Sequence, residues 1–239
     1  MIYRILSKIE RICGRLQGKG WGAYTVSHEV NLLTKVIKAP GLAVDIGGNV
    51  GDYTAELLKK FDGIEVHVFE PSQVNNEKLI TRFKNQSNVL INKAAVSDKA
   101  GVASLYTDVP GSGLASLTKR ESLKFESFEE VDVITFESYW KEKLNRKTID
   151  IIKIDVEGHE LDVLNGMGGA LAKTKVIQFE FGGCNIDTRT YFYDFWQFFK
   201  KHNFNIFRIT PLGLQPMLFY SAFDDFFNTT NFICVNQNI

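Results

Sequence analysis

The chain has 239 residues, 44% of them hydrophobic, and its 28 basic residues balance 28 acidic ones. That length supports one sizeable core. The charge balance leaves no basic footprint of the kind nucleic acid selects, so no nucleic-acid partner is expected. Cys13, Cys184 and Cys234 are odd in number, far apart and never in a CxxC spacing, which argues against a disulfide framework and a cysteine zinc site. No apolar stretch reaches the roughly 20 residues of a spanning helix, and the N-terminus lacks the unbroken apolar core of a signal peptide, so a cytoplasmic protein is expected.

In the first stretch, Ile2, Leu6, Ile9, Cys13 and Leu16 recur every three to four residues, with Arg4, Lys8, Arg11, Arg15 and Lys19 between them. This is a basic amphipathic helix. Such a helix usually packs its apolar stripe on its own domain, while the basic face also permits peripheral contact with an anionic membrane. Ser27 reads as the N-cap of a second helix, about His28 to Lys38, ended by Pro40-Gly41. Residues 1–40 are thus a helical extension and residues 41–239 the main domain.

Beyond Gly41, LAVDIG reads as a buried strand, VGDYTAELLKKF as a helix, IEVHVFEP as a strand, QVNNEKLITRFKNQ as a helix and VLINKAAV as a strand. VASLYT and EVDVITF, on either side of the polar stretch GSGLASLTKRESLKFESFE, read as antiparallel additions around a loop. The alternation resumes with strand IDIIKID, helix EGHELDVLNGM, strand KVIQFEF, helix TYFYDFWQFFKKH and strand FNIFRIT, and NFICVN closes the chain. This order predicts an α/β fold: an open, doubly wound, mostly parallel sheet of seven strands with helices on both faces. Ligands in such sheets bind at the carboxyl ends of the strands.

The first strand end carries Asp45, Gly47, Gly48, Asn49 and Gly51. A dinucleotide fingerprint has glycines at offsets zero, two and five, whereas these fall at zero, one and four. Asp45 also opposes a pyrophosphate, since like charges about 4 Å apart repel by roughly 1 to 4 kcal/mol. A nicotinamide oxidoreductase is therefore disfavoured. The second strand ends at Glu70, whose carboxylate can accept hydrogen bonds from both ribose hydroxyls, and Pro71 stops the strand there. A ribose, close backbone approach and tolerance of a carboxylate together describe S-adenosylmethionine, whose sulfonium and ammonium groups are cationic. On this reading Asp45 orders the glycine loop beside the methionine moiety, Gly47, Asn49 and Gly51 surround it, and Glu70 holds the ribose. Ser97 and Asp98 follow the third strand at the height of the adenine, or are plain turn residues.

Five motifs in order, VDIGGNVGDYT, VFEP, AAVSD, GSGLASL and IKIDVEGHE, resemble the FkbM family of S-adenosylmethionine-dependent methyltransferases. The resemblance runs from Gly41 to the closing strand, with Gly48 standing where the family often has Ala. It implies a Rossmann-like class I methyltransferase fold with an antiparallel last strand. It also implies methyl transfer to a hydroxyl, often of a sugar in a glycan or natural product.

IDVEGHE places Asp155, Glu157 and His159 at the fourth strand end and on the first turn of the next helix, where the acceptor should meet the methyl group. A base that takes the proton of an alcohol as the bond forms contributes about 10² to 10⁴ in rate. Imidazole is the side chain best matched to neutral pH, so His159 is the leading base, with an acid beside it to fix its tautomer. Asp155 and His159, four apart, share a helical face on this reading while Glu157 points elsewhere. The three then do not converge on an ion, and no metal is assigned. The alternative is that these acids only complement a helix N-terminus. Glu180, followed by Gly182 and Gly183, either faces the acceptor or is a solvated edge residue. Phe195, Phe198 and Phe199 are expected to pack a helix on the sheet, leaving residues 213–230 for acceptor recognition. Two other readings compete: a noncatalytic nucleoside-binding module, which the retained IDVEGHE opposes, and a methyltransferase whose acceptor is not a sugar.

Overall fold

The computed structural model describes residues 2–21, 26–120, 125 and 127–239. Helices α1 (Ile2–Leu16) and α2 (Val26–Leu33) precede β1 (Leu42–Ile46), α3 (Asp52–Lys60), β2 (Glu65–Phe69), α4 (Gln73–Phe83) and β3 (Val89–Asn92). Strands β4 (Ala95–Ser97), β5 (Gly101–Thr107) and β6 (Ser127–Thr135) follow, and α5 (Phe136–Glu142) leads back to β7 (Ile149–Ile154). The chain ends with α6 (Glu160–Asn165), β8 (Thr174–Phe181), α7 (Cys184–Thr188), α8 (Phe192–Lys201), β9 (Phe204–Thr210), β10 (Gly213–Pro216) and β11 (Thr230–Asn236).

The main sheet has the order β3-β2-β1-β7-β8-β11-β9-β10. Neighbours from β3 to β8 run parallel, and β11 lies antiparallel to both β8 and β9. The seven expected strands are present with the closing one antiparallel, and β10 adds an eighth at the edge, inside what the sequence presents as a loop. VLINKAAV is not one strand. It breaks after Asn92, and Ala95–Ser97 joins the separate three-stranded sheet β4-β6-β5, in which β5 and β6 are antiparallel as expected.

Apolar runs bury both faces of the central strands, as a parallel sheet requires. Ala43, Ile151 and Val176 are register neighbours that face α2, α3 and α4; Val44, Ile152 and Ile177, one residue on, face α5, α6 and α8. Helix α8 buries Phe192, Phe195 and Phe199, a helical stripe. Phe179 of β8 stacks on Phe195 at 4.7 Å, on Phe199 at 5.3 Å and on Phe232 of β11 at 5.2 Å, centroid to centroid. Phe198 packs at the margin of this core.

Two expectations for the first forty residues change. Helix α2 starts at Val26, so Ser27 lies inside its first turn rather than capping it, and the helix ends at Leu33, five residues short of the expected limit. Its Val30 and Leu33 enter the core with Leu57 of α3. Helix α1 buries none of its residues, so its stripe does not pack on the domain. Its root is nevertheless fixed: a Cβ on Gly18 would stand 2.3 Å from the Ile209 carbonyl oxygen. Among the described residues, no helix is long and apolar enough to cross a membrane.

Phe179→Ala removes the ring around which three others stack. It is expected to cost about 3–5 kcal/mol, read as a lower urea midpoint at unchanged denaturant slope.

Candidate active site

The sheet order reverses between β1 and β7, and there the carboxyl ends of β1, β2 and β7 open into one cavity. Its empty space, counted out into the open mouth, is about 580 Å³. Gly47, Asn49, Glu70, Asp155, Glu157 and His159 all stand on its wall. Phe69, Ala95, Val96 and Leu105 make one side of it apolar.

Glu70 is buried, and its carboxylate closes the glycine loop onto β2. Oε2 accepts the Asn49 backbone N–H at 2.8 Å, and Oε1 accepts that of Ser72 at 2.9 Å. Each oxygen keeps a lone pair for a ligand. Burial raises the Glu70 carboxyl to about 7 against the two N–H bonds that lower it. Asn49 takes a left-handed backbone (φ 46°), and its side-chain oxygen accepts from Asn75 at 2.9 Å.

Four other sequence-selected residues lie off the cavity wall. Asp45 is buried behind it, accepting the Thr54 hydroxyl at 2.6 Å, and burial above all lifts its carboxyl to about 6. It ties β1 to α3. Gly51, at φ 84°, is used for packing: a Cβ there would strike the Phe83 and Leu79 side chains of α4 at 2.5 and 2.8 Å. Gly47, although on the wall, has its open side occupied too, because at φ 87° a Cβ would stand 1.8 Å from the Asp155 carbonyl oxygen. Its role is to let β1 and β7 end side by side. Ser97 and Asp98 sit where β4 has left the main sheet, and the Ser97 carbonyl backs onto Gly166 at the end of α6. Ala94, Ala95 and Val96 line the cavity in their place.

The IDVEGHE segment is a loop, not a first helical turn. Glu157 (φ 54°) and Gly158 (φ 108°) are left-handed, and α6 starts only at Glu160. Glu160 is fully buried and organises the loop: Oε1 accepts the Val156 and Gly158 N–H groups at 3.2 and 3.0 Å, and Oε2 accepts from Asn185 at 3.3 Å. Asp155 and His159 therefore share no helical face. Instead Asp155, Glu157 and Glu180 converge, each offering a carboxylate oxygen within 4.8 Å of the others, and His159 is not among them. Asp155 and Glu157 meet because the segment is a left-handed loop and not the expected helical turn, while His159 stays outside their cluster as expected. Burial, with Asp155 beside it, pushes Glu157 to about 8 and Glu180 well upward.

Two cations that are not among the candidate site residues hold this acidic group. Lys153, buried within β7, donates to Asp155 at 3.0 Å and to Asn231 at 3.2 Å. Arg120, from the segment joining β5 to β6, pairs with Glu157 at 3.0 Å and with Asp187 at 3.3 Å. Lys153 had a signal in the sequence, since a lysine inside an apolar strand demands a buried partner; Arg120 had none. From the same segment, Ser116 donates to the Glu157 carbonyl at 2.8 Å, and the Thr118 hydroxyl lies 2.6 Å from His159 Nε2. The other ring nitrogen, Nδ1, faces Asp162 at 2.9 Å. A carboxylate only accepts, so Nδ1 carries a proton, and in the neutral ring Nε2 is the acceptor for Thr118.

None of residues 213–230 reaches the cavity wall. Asp224 pairs with Arg208, Asp225 with Tyr220 and the Phe192 N–H, so these acids are structural. Gly182 admits the chain itself, a Cβ there standing 3.0 Å from the Thr229 Cα.

A raised carboxyl binds its proton more tightly in the folded state, so stability is lost as pH climbs from the unfolded value near 4.5 through about 8 for Glu157. Glu157→Gln is expected to flatten the fall in urea midpoint across that window. An identical pH profile would mean that Glu157 does not titrate there.

A family model of the methyltransferase FkbM domain matches residues 45–206. Methyltransferase 1 of Beauveria bassiana (strain ARSEF 2860) is 28% identical over 142 residues, covering 52% of this chain and 57% of that protein. The chain thus spans little more than half the length of this relative. A candidate methyltransferase of Streptococcus mutans, solved in complex with S-adenosylhomocysteine, superposes with a TM-score of 0.51 at 10% identity over 90% of this chain and 99% of its own. A candidate rRNA methylase of Clostridium thermocellum superposes with a TM-score of 0.51 at 8% identity over 90% and 98%. At these identities the two share the fold. With most of its length inside the family match and the motif residues gathered where β1, β2 and β7 end, the chain belongs to the FkbM family of S-adenosylmethionine-dependent methyltransferases.

Proposed function

We propose that the protein methylates a hydroxyl group, that of a sugar in a glycan or glycosylated metabolite, with His159 as the base. The observation that carries this reading is the 2.6 Å contact between the Thr118 hydroxyl and His159 Nε2, with Nδ1 held by Asp162. An alcohol already lies along the acceptor direction of an imidazole whose tautomer is set. An acceptor hydroxyl that displaces Thr118 would take the same place.

The residues fit the cofactor. Glu70 has lone pairs free for a ribose, the apolar side made by Phe69, Ala95, Val96 and Leu105 suits a flat base, and the convergent Asp155, Glu157 and Glu180 suit a cation. S-adenosylmethionine supplies a methyl group on a positively charged sulfur, which departs as a neutral thioether. His159 Nε2 takes the acceptor proton as the new O–CH3 bond forms, and Asp162 stabilises the resulting imidazolium through Nδ1–H. Lys153 and Arg120 hold the carboxylates in place. A polyol is favoured over an apolar acceptor because Asp155, Glu157 and Ser116 stand beside His159 as hydrogen-bonding groups.

Calorimetric titration with S-adenosylhomocysteine tests the cofactor side: Glu70→Ala is expected to weaken binding about tenfold or more, since hydrogen bonds to a charged acceptor contribute about 1.5–3 kcal/mol each. Isotopically labelled methyl donor added to cell extract identifies the acceptor, and label on carbon or nitrogen would sink the hydroxyl assignment. With that acceptor in hand, His159→Ala is expected to lower turnover by about 10² to 10⁴ at unchanged S-adenosylhomocysteine affinity; full turnover would remove His159 from the chemistry.

A further inference from the structure

We propose that α1, together with the apolar segment around β10, docks the protein on an anionic bilayer surface. In α1, Ile2, Ile5, Leu6, Ile9, Ile12 and Leu16 are all at least 50% exposed. At about 100° per residue they fall within an arc of roughly 120°. Arg4, Lys8, Arg11 and Arg15 gather in a narrow arc that flanks one edge of the stripe, and Glu10 is the helix's one acid. The helix therefore carries a net charge of three positive on a chain whose total is zero.

A second element carries exposed apolar groups of its own. Leu212, Leu218, Phe219 and Phe223 are 69–84% exposed, although nothing in the site requires them. Phe223 brings this element beside the root of α1. Phe223 shares a cleft with Arg11, Gly14 and Arg15 of α1; Lys19 donates to the Phe223 carbonyl at 3.2 Å and lies 4.5 Å from the Phe226 ring centroid. The helix is thus anchored at its root beside the second patch and left without cover along its length.

Charge selects the occupant. A second copy meeting this face symmetrically would set one triply positive helix against another, which like-charge repulsion opposes. An anionic headgroup layer attracts the basic arc while the stripe enters the acyl boundary. A bilayer also accepts two separate apolar patches without a matching groove, which a protein partner would have to provide. This inference is independent of the acceptor and of His159.

Cosedimentation of the full chain with vesicles of phosphatidylglycerol and phosphatidylcholine in equal parts tests it. Binding is expected at low salt, weakening between about 0.05 and 0.5 M as charges are screened, and weaker again on phosphatidylcholine alone. The double variant Ile5→Asp, Ile9→Asp is expected to lower vesicle affinity about tenfold or more, with S-adenosylhomocysteine binding unchanged as proof of folding. The triple variant Arg4→Gln, Lys8→Gln, Arg11→Gln, which keeps helix-forming residues, should remove the salt dependence, and Phe219→Ser with Phe223→Ser should weaken binding separately. No sedimentation with anionic vesicles overturns the proposal. So does equal binding by the stripe variant, equal affinity for phosphatidylcholine alone, or a concentration-dependent dimer that persists without vesicle binding.

Discussion

Lys153 brings an ammonium into the middle of the sheet, and the strand ends are arranged around it. Burial opposes its charge, but Asp155, Glu29 and Glu180 outweigh that and hold it protonated well above the ordinary lysine range. It lies in a row across the sheet with Asp45 of β1 and Gln178 of β8, its register neighbours. Gln178 in turn donates to Glu29 of α2 at 2.6 Å and accepts from Tyr53 of α3 at 2.8 Å. Removing one partner from such a buried pair typically costs about 3–5 kcal/mol. Helices α2 and α3, β1, β7 and β8 are thereby held to one polar line, and that line leads to Asp155 at the edge of the cavity.

From that edge outward, carboxylates with different duties lie within a short stretch of chain. Glu160 spends its oxygens on backbone N–H groups and an asparagine, so it shapes the loop. Asp162 orients an imidazole. Asp155, Glu157 and Glu180 converge, and their mutual repulsion in a buried place makes a cation favourable there. Burial first and the neighbouring acids second lift Glu157 and Glu180, and a cation bound beside them would lower both.

Much of this was legible in the sequence because strand alternation and strand ends follow from local periodicity. The βαβ rhythm placed Gly47, Asn49, Glu70, Asp155, Glu157 and His159 on one cavity without any knowledge of the fold's details. What sequence reasoning missed depends on contacts between distant segments. Thr118 and His159 are 41 residues apart, and Arg120 and Glu157 37, with β6, α5 and β7 between them. The loop at Glu157 was misread for a local reason. Acids near a glycine and a histidine look like a helix start, and only the left-handed backbone at Glu157 and Gly158 shows otherwise. Asp45 and Gly51 lie off the cavity wall because a residue beside a ligand loop serves equally well as its scaffold.

The break after Asn92 leaves the cavity built from two separate sheets. Its floor comes from the main sheet, whose register is fixed by two buried faces and a buried lysine. Its cover hangs from the ladder of β5 and β6, which begins and ends away from that sheet. A segment closed by its own ladder can lengthen cheaply, each doubling costing only about 0.6 kcal/mol in closure entropy. Exchange of residues 108–120, which include the lining residues Ser112, Ser116 and Leu117, could then alter which molecules are accepted while leaving the floor's geometry intact.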